Sequence, residues 1–369
     1  MDDYRICTRC IMDTSAEEIK FDENGVCSFC RGYDKEAARY PSTPEAMAAE
    51  LDRRVKLIKK DGKGKQYDCI IGLSGGVDSS YLALLVKEKG LRPLAVHVDT
   101  GWNSEIAVKN IENIVKILGI DLYTIVIDWN EMQDLQRSFL LARLPNCDIP
   151  QDHTFMAAIL KVAQEKGIRH VISGHNIATE FILPPSWGYP SDDLTHLKDV
   201  HTRFGKVPLK TFPTSPLFNR VILTRYVYHI QTHRFLYYVP YVKEEAKKTI
   251  AKQLGWRDYG GKHHESVFTR FFQTYYLPVK FGFDKRRAHL SNLIVTGQIG
   301  RDEALKLMEE RPYDEKQVEI DISYFCRKLD FTREEFMDIL KGAKGSHASY
   351  KSEKNIWWYR LMRFFMGRR

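Results

Sequence analysis

The chain has 369 residues, 43% of them hydrophobic and 28% charged, and its 56 Lys and Arg against 48 Asp and Glu leave a net charge of +8. This length predicts more than one domain, and the hydrophobic share predicts a real core. No run approaches the roughly 20 apolar residues of a membrane-spanning helix, and Met1 to Arg9 is too polar for a secretory leader, so a cytoplasmic protein without a membrane span is expected. The positive balance suits an anionic ligand such as ATP, a nucleotide sugar or RNA, without choosing among them.

Cysteines open the chain. Cys7-Thr-Arg-Cys10 and Cys27-Ser-Phe-Cys30 form two knuckles around a short polar segment, and the Asn24-Gly25 turn before the second pair suits a zinc ribbon. Four thiolates so spaced close a tetrahedral zinc site, with an iron–sulfur cluster or a redox pair as the alternative. Such a site keeps no open coordination position, so Cys7, Cys10, Cys27 and Cys30 are expected to hold a structural zinc. The odd total of seven cysteines argues for a reducing compartment over a disulfide framework.

From Asp34 to Lys60 the pattern is helical, with Pro41-Ser-Thr-Pro44 as a start signal and Thr43 as the candidate N-cap. Asp68 to Leu73 reads as a buried parallel strand and Tyr81 to Lys89 as a helix. Between them stands Ser74-Gly75-Gly76-Val77-Asp78-Ser79-Ser80. The two glycines let backbone N–H groups approach an anion, and the helix start adds unpaired N–H groups and its positive dipole end. The turn lacks the Gly-Lys-Ser/Thr ending of the common nucleoside-triphosphate loop, so it fits a pyrophosphate better than a kinase reaction.

Strand and helix then alternate: strands at Leu94 to Asp99, Tyr123 to Ile127 and His170 to Ser173, with helices at Asn103 to Leu118, Asn130 to Arg143 and Asp152 to Lys166. The pattern predicts an α/β fold with a doubly wound parallel sheet. Ligands of such sheets bind at the carboxyl ends of the strands, where Ser74, Asp99, Asp128 and Gly174 fall. Asp99 reads equally as a helix-side cap and His175 as a satisfied, partly buried histidine.

Phe181 to Thr211 breaks this rhythm and is expected to be a substrate-facing loop, with Trp187, His201 and Arg203 as candidates to stack on or pair with a ligand. Asn219 to Tyr238 and Glu244 to Leu254 read as helices. Tyr259-Gly-Gly-Lys-His-His-Glu-Ser266 follows, with Lys262 a flexible point charge suited to phosphate. Helices are expected at Asp284 to Thr296, Arg301 to Glu310, Glu315 to Leu329 and Thr332 to Lys341. The aromatic and basic stretch from Asn355 to Met366 reads as a helix packed on its own domain, with a membrane surface or a partner as the alternative. The expected organisation is a four-cysteine, zinc-ribbon-like module over residues 1–33, the α/β domain over 34–215 and a helical substrate or partner domain over 216–369.

Ser74 to Ser80 resembles the signature of the PP-loop ATP pyrophosphatases, the adenine nucleotide α-hydrolase-like superfamily of GMP synthetase, NAD synthetase, asparagine synthetase and tRNA-thiolating enzymes. Together with the two cysteine pairs, His97-Val-Asp-Thr-Gly-Trp-Asn-Ser-Glu105, Gly174-His-Asn-Ile-Ala-Thr-Glu180 and Gly260-Gly-Lys-His-His-Glu-Ser266, it resembles the bacterial N-acetyl sugar amidotransferases over most of the chain up to Gln273. The resemblance implies ATP, Mg2+ and Zn2+ as cofactors. It implies ATP contacts from Leu73, Ser74, Gly75, Gly76, Val77, Asp78, Ser79, Ser80, Val98, Gly174 and Arg270, catalytic roles for Asp78, Glu180 and Lys262, and Glu180 as a magnesium ligand. It also implies a nucleotide-activated N-acetyl sugar as substrate, whose acetamido group becomes an acetamidino group for lipopolysaccharide O-antigen or another surface glycan.

An amide oxygen leaves only after activation; its adenylation makes an imidate that ammonia attacks, expelling AMP. No glutaminase segment is evident, so a separate class I glutaminase subunit and a cyclase-like barrel are implied as ammonia suppliers. No nucleic-acid partner is implied. The competing reading is a PP-loop tRNA thiolation enzyme, which needs reactive cysteines near the loop. Cys69 and Cys326 read as buried apolar residues and only Cys147 as loop-like.

Overall fold

The computed structural model describes the backbone of residues 4 to 366 and the side chains of residues 4 to 362. Its centre is a five-stranded sheet, all parallel, in the order β3-β2-β1-β4-β5, formed by β1 (Cys69–Gly72), β2 (Pro93–Asp99), β3 (Asp121–Val126), β4 (His170–Ser173) and β5 (Gln231–Arg234). Alternate residues of the central strands serve opposite faces: Cys69 and Ile71 pack with Ala95 on one side, and Ile70 packs with Leu94 and Val96 on the other. A sheet buried on both faces needs this near-continuous apolar sequence.

Helices cover both faces. One carries α2 (Pro44–Asp61), α3 (Val77–Glu88), α4 (Glu105–Leu118) and α9 (Lys243–Leu254), and the other carries α6 (Ile149–Glu165). The helix expected from Asp34 to Lys60 is two helices, α1 (Ser28–Ala37) and α2, because Pro41 and Pro44 interrupt the backbone ladder. Thr43 caps α2 as read, accepting from the Ala46 N–H at 3.3 Å.

Two expectations are corrected. Asn219 to Tyr238 is not one helix: Asn219–Val227 is a π-helix, Gln231–Arg234 is the edge strand β5, and Phe235–Tyr238 is a 3-10 turn. Only His233 of β5 is buried, so the strand carries no apolar alternation to betray it, and the sheet runs past the boundary expected at residue 215. Phe181 to Thr211 is more structured than a loop, although its Leu183 and Gly188, Tyr189, Pro190 and Ser191 do line a chamber together with Leu73 and His97. It contains a 3-10 turn at Pro185–Trp187 and α8 (Leu194–Phe204), with α7 (Ile177–Glu180) just before it. Two buried carboxylates of α5 (Trp129–Leu141) pin the end of this segment: Asp134 accepts from the Lys206 and Val207 N–H groups, and Glu131 from those of Lys210, Thr211 and Phe212. Burial alone would raise the Glu131 carboxyl, but these backbone donors outweigh it and hold it below the usual range.

The C-terminal half is helical as expected: α10 (Val267–Phe271), a π-helix at Phe272–Phe281, α11 (Lys285–Val295), α12 (Arg301–Glu309), α13 (Glu315–Leu329) and α14 (Arg333–Lys341), then α15 (Trp357–Met366). Thr332 and Glu335 form the full capping box at the start of α14. The cysteine module packs against α11 and α12, where Arg301 donates to the carbonyls of Cys7 and Cys10 and Arg287 pairs with Asp13 at 3.0 Å. Its cysteines share one apolar core with Phe268, Phe271, Phe325 and Phe336.

Candidate functional site

The loop between β1 and α3 is shaped by its glycines. Gly75 has φ +78°, and a Cβ there would meet the Ala107 carbonyl oxygen at 2.5 Å; a Cβ on Gly76 would meet Glu265, Ser74 and Tyr259 oxygens at 3.1 to 3.3 Å. From behind, the Trp256 indole and the Asn110 amide donate to the Gly75 carbonyl at 2.9 and 3.4 Å. Ser80 is fully buried and donates to the Gly76 carbonyl at 2.6 Å. With these carbonyls held away, the first turn of α3 presents its positive end to an anion. The Tyr259 hydroxyl accepts from the Val77 N–H at 3.3 Å.

Two chambers meet at Ser74, His263 and Glu265. The smaller, of about 180 Å³, is bordered by Gly76, Val77, Asp78, Ser79, Gly174 and Glu180, and three lysines face it: Lys243, Lys247 and Lys262. Lys262 donates to the Thr179 carbonyl at 2.8 Å and lies 3.4 Å from a Glu180 carboxylate oxygen. Lys247 pairs with Asp258 at 2.9 Å. Burial lowers the Lys243 pKa, and the charges of Lys262 and Lys247 lower it further. A cluster of like charges held together in this way favours a polyanion that neutralises it.

Asp78 is held by the Tyr241 hydroxyl and by the Asn176 amide at 3.2 Å. Burial pushes its carboxyl up, and the neighbouring Glu180 charge adds to that, against the pull of Lys262. Glu180 moves the other way: burial would raise it, but Lys262, His175 and His263 together hold it below the usual carboxylate range. These two carboxylates beside a phosphate cradle fit Mg2+, which takes one or two carboxylates and completes its shell with substrate phosphates and water.

The larger chamber, of about 550 Å³, has walls from both halves of the chain. Leu73, His97 and Val98 come from the strand ends, and Ser266, Thr269, Gln273 and Lys285 from the C-terminal helices. His97 is fixed by the Leu73 carbonyl at 3.0 Å and the Asn103 amide at 3.1 Å.

The structure thus brings together Leu73, Ser74, Gly76, Val77, Asp78, Ser79, Val98, Gly174, Glu180 and Lys262 on the chamber walls, while Gly75 and Ser80 shape the loop from behind. Arg270 is a correction: its side chain turns to Asp321 at 2.7 Å and borders neither chamber. So are Trp187, His201 and Arg203. The Trp187 ring is buried against Phe283 and its N–H bonds the Ser15 carbonyl, His201 bonds Asp134 at 3.1 Å, and Arg203 pairs with Asp199. Asp99 bonds its own loop and Asp128 caps α5. His175 borders the smaller chamber and meets the Tyr237 hydroxyl at 3.1 Å. Sequence reading missed Lys243 and Lys247, whose spacing of four puts them on one face of α9, and also Tyr241, Tyr259 and Glu265.

The four N-terminal cysteines are buried, with their sulfurs within 4.8 Å of one another. The Cys7 and Cys30 sulfurs lie 3.9 Å apart, and that of Cys27 lies 3.7 Å from both Cys10 and Cys30. A tetrahedral zinc with bonds of about 2.3 Å requires sulfur separations of about 3.8 Å. Backbone N–H groups of Arg9, Cys10 and Cys27 also point at the Cys7 sulfur, as a thiolate requires. The donor set fits zinc.

The family description "LPS biosynthesis protein WbpG-like, C-terminal domain" matches residues 265–364, and "Queuosine biosynthesis protein QueC" matches residues 68–182, the span that holds the cradle. The chain is similar to these two families over those two spans, which leave the N-terminal cysteine module and residues 183–264 outside both. It is 28% identical over 175 residues to the uncharacterized protein MJ1599 of Methanocaldococcus jannaschii, covering 46% of the chain and 59% of that relative. It is 34% identical over 131 residues to a Thermus thermophilus GMP synthase (glutamine-hydrolyzing), covering 34% and 23%. A tRNA-specific 2-thiouridylase MnmA of Nitratiruptor is 30% identical over 120 residues, covering 30% and 35%. The chain therefore spans less than two thirds of each of these relatives. Among solved structures, an NH3-dependent NAD synthetase of Campylobacter jejuni aligns at 15% identity and TM-score 0.30, over 44% of this chain and 73% of that one.

Proposed function

We propose that the protein is an ATP-dependent amidotransferase that converts the acetamido group of a nucleotide-linked N-acetyl sugar into an acetamidino group for a surface glycan. The observation that carries this reading is the larger chamber: the PP-loop domain walls one side and the WbpG-like region, Ser266 to Lys285, walls the other. An acceptor bound there lies against an adenylation cradle.

In this reading the cradle and Lys243, Lys247 and Lys262 bind the β- and γ-phosphates. The acetamido oxygen attacks the α-phosphorus, a carbon-bound O–P bond forms, the α–β phosphoanhydride breaks, and pyrophosphate leaves toward the three lysines. Ammonia adds to the imidate carbon and forms the C–N bond. The C–O bond breaks and AMP departs, leaving the amidine. Asp78 and Glu180 would hold Mg2+, which when bound supplies neutralisation of the departing phosphates. The four-cysteine module would hold a structural Zn2+. Ammonia would come from a separate glutaminase, with a cyclase-like barrel as conduit.

The similarity to thiouridylases favours the runner-up, a tRNA-thiolating enzyme. Against it, Cys69, Cys147 and Cys326 are all buried, and no cysteine borders either chamber among the described residues. The test supplies ATP, ammonium and UDP-linked N-acetyl sugars, with mass spectrometry of the sugar and separation of AMP from ADP. An acetamidino product with stoichiometric AMP supports the reading. ADP in place of AMP, or no amidine here while sulfur enters tRNA in a parallel mixture of ATP, tRNA and a sulfur donor, overturns it.

A further inference from the structure

The sequence marks Asn355 to Met366 as a helix expected to pack on its own domain, and α15 does set Trp358 against Phe218 while leaving other apolar side chains in water. At the start of α15, Trp357 is 75% exposed and Leu361 51% exposed. A second element with exposed apolar groups touches this helix through Trp358. The Phe218 ring meets Trp358 edge to face at 6.5 Å between centroids, joining α15 to the π-helix that begins at Asn219. Phe218, Tyr226 and Val227 of that second element are 55%, 56% and 58% exposed, and Phe218 and Val227 lie about two turns apart on it, so they share a face. Two separate elements thus set bulky apolar groups side by side in water, which single scattered residues do not do.

The sequence of the C-terminal stretch selects what covers this surface. Lys354 to Arg369 contains Lys354, Arg360, Arg363, Arg368 and Arg369 and no Asp or Glu, interleaved with three Phe or Tyr and two Trp. Tryptophan and tyrosine have an apolar body and a polar edge, and arginine lays its stem along apolar surface while its guanidinium reaches a phosphate. A short helix of that composition sits in the headgroup layer of an anionic bilayer, its rings at the acyl boundary and its arginines on lipid phosphates. No described helix is long and apolar enough to cross a membrane, so the contact is with one leaflet only.

We propose that the aromatic surface formed by α15 and the Asn219–Val227 helix is a docking site for an anionic membrane surface. The proposal is independent of the reaction assigned to the chambers. It is tested by flotation of the full-length protein with vesicles of phosphatidylcholine alone and of phosphatidylcholine mixed with phosphatidylglycerol. The expected result is flotation with the mixed vesicles only, release by high salt, and about a tenfold drop in partitioning for Trp357→Ser combined with Leu361→Ser. Arg360→Glu, which leaves the apolar groups in place, should weaken binding to the mixed vesicles as well. Tyr4→Ser, at another exposed aromatic residue, should leave it unchanged. The proposal is overturned by no flotation, by equal and salt-insensitive flotation with neutral vesicles, or by substitutions that change self-association in sedimentation while leaving lipid binding intact.

Discussion

Lys262 crosses from the loop after α9 to the end of α7, where it bonds the Thr179 carbonyl and pairs with the Glu180 carboxylate on the wall of the cavity at the start of α3. Lys262→Ala should therefore lower ATP-dependent AMP formation by about 10²–10³-fold, the typical loss of one preorganised charge at a transition state, while Lys262→Arg retains part of it. AMP quantified by ion-exchange chromatography checks this. Asp78 gives a prediction of the opposite kind for stability. Its folded pKa is raised by burial and by Glu180, so the native state binds the proton more tightly than the unfolded chain does. Stability from this group is then lost as pH rises from the ordinary carboxylate range through the folded value. Asp78→Asn should abolish AMP formation yet melt no lower than the wild type at neutral pH, with any gain vanishing in acid. A lower melting temperature at neutral pH would contradict the sign. At this scale the sequence was most legible in the shape of the loop before α3, because Gly75 and Gly76 are required where a Cβ would meet neighbouring oxygens. Lys243, Lys247 and Tyr259 were hidden because their role depends on α9 and the following loop folding back over α3, and Arg270 was misplaced because the phase of α10 turns it to Asp321.

The elements differ in how openly the chain declares them. The central strands β1 and β2 and helices with clear caps, such as α4 and α14, were legible because both faces or one stripe must be apolar and the first N–H groups need a side-chain acceptor. The edge strand β5 was not, since its Gln231, Thr232 and Arg234 face water and its one buried residue, His233, is satisfied by His170 at 3.0 Å. The four-cysteine module was legible as a ligand set, but not its seat on α11 and α12, which Arg287 and Arg301 provide. Cys10→Ser should therefore lose zinc and also loosen those helices, lowering the melting temperature, with metal content read by mass spectrometry; unchanged zinc in the variant would refute the site. A second element-scale prediction concerns acid. His196 and His347 are buried at 3.0 Å from each other with Tyr189 stacked on His347, tying the chain before α15 to α8, and burial depresses them to about 4 and about 3. Both folded values lie below the unfolded value, so stability from keeping them neutral is whole above about pH 6.5 and is lost as pH falls toward the folded values. Each contributes a slope of up to about 1.4 kcal/mol per pH unit in that window. His347→Gln should flatten the acid limb of a denaturant-midpoint series between pH 7 and pH 5.

At the scale of the whole molecule, the parallel sheet supplies the cradle and the WbpG-like region closes the far wall, so the larger chamber exists only where the two meet. That juxtaposition could not be read from the sequence, since Leu73 and Lys285 are brought together only by the completed fold. In the proposed reading the smaller chamber takes ATP and the larger an acceptor, and among the described residues no cysteine lies on their walls. Ammonia is almost wholly protonated at neutral pH and non-nucleophilic in that form, so its delivery from glutamine needs a second active site and a protected path. The purified chain should accordingly form acetamidino sugar with high concentrations of ammonium, with a rate that climbs with pH as the free base grows. Glutamine should replace ammonium only when a glutaminase subunit is added. Isotope-labelled nitrogen followed into the sugar by mass spectrometry separates the cases: label from glutamine incorporated by this chain by itself would sink the two-component scheme, while label from ammonium at rising pH would support it.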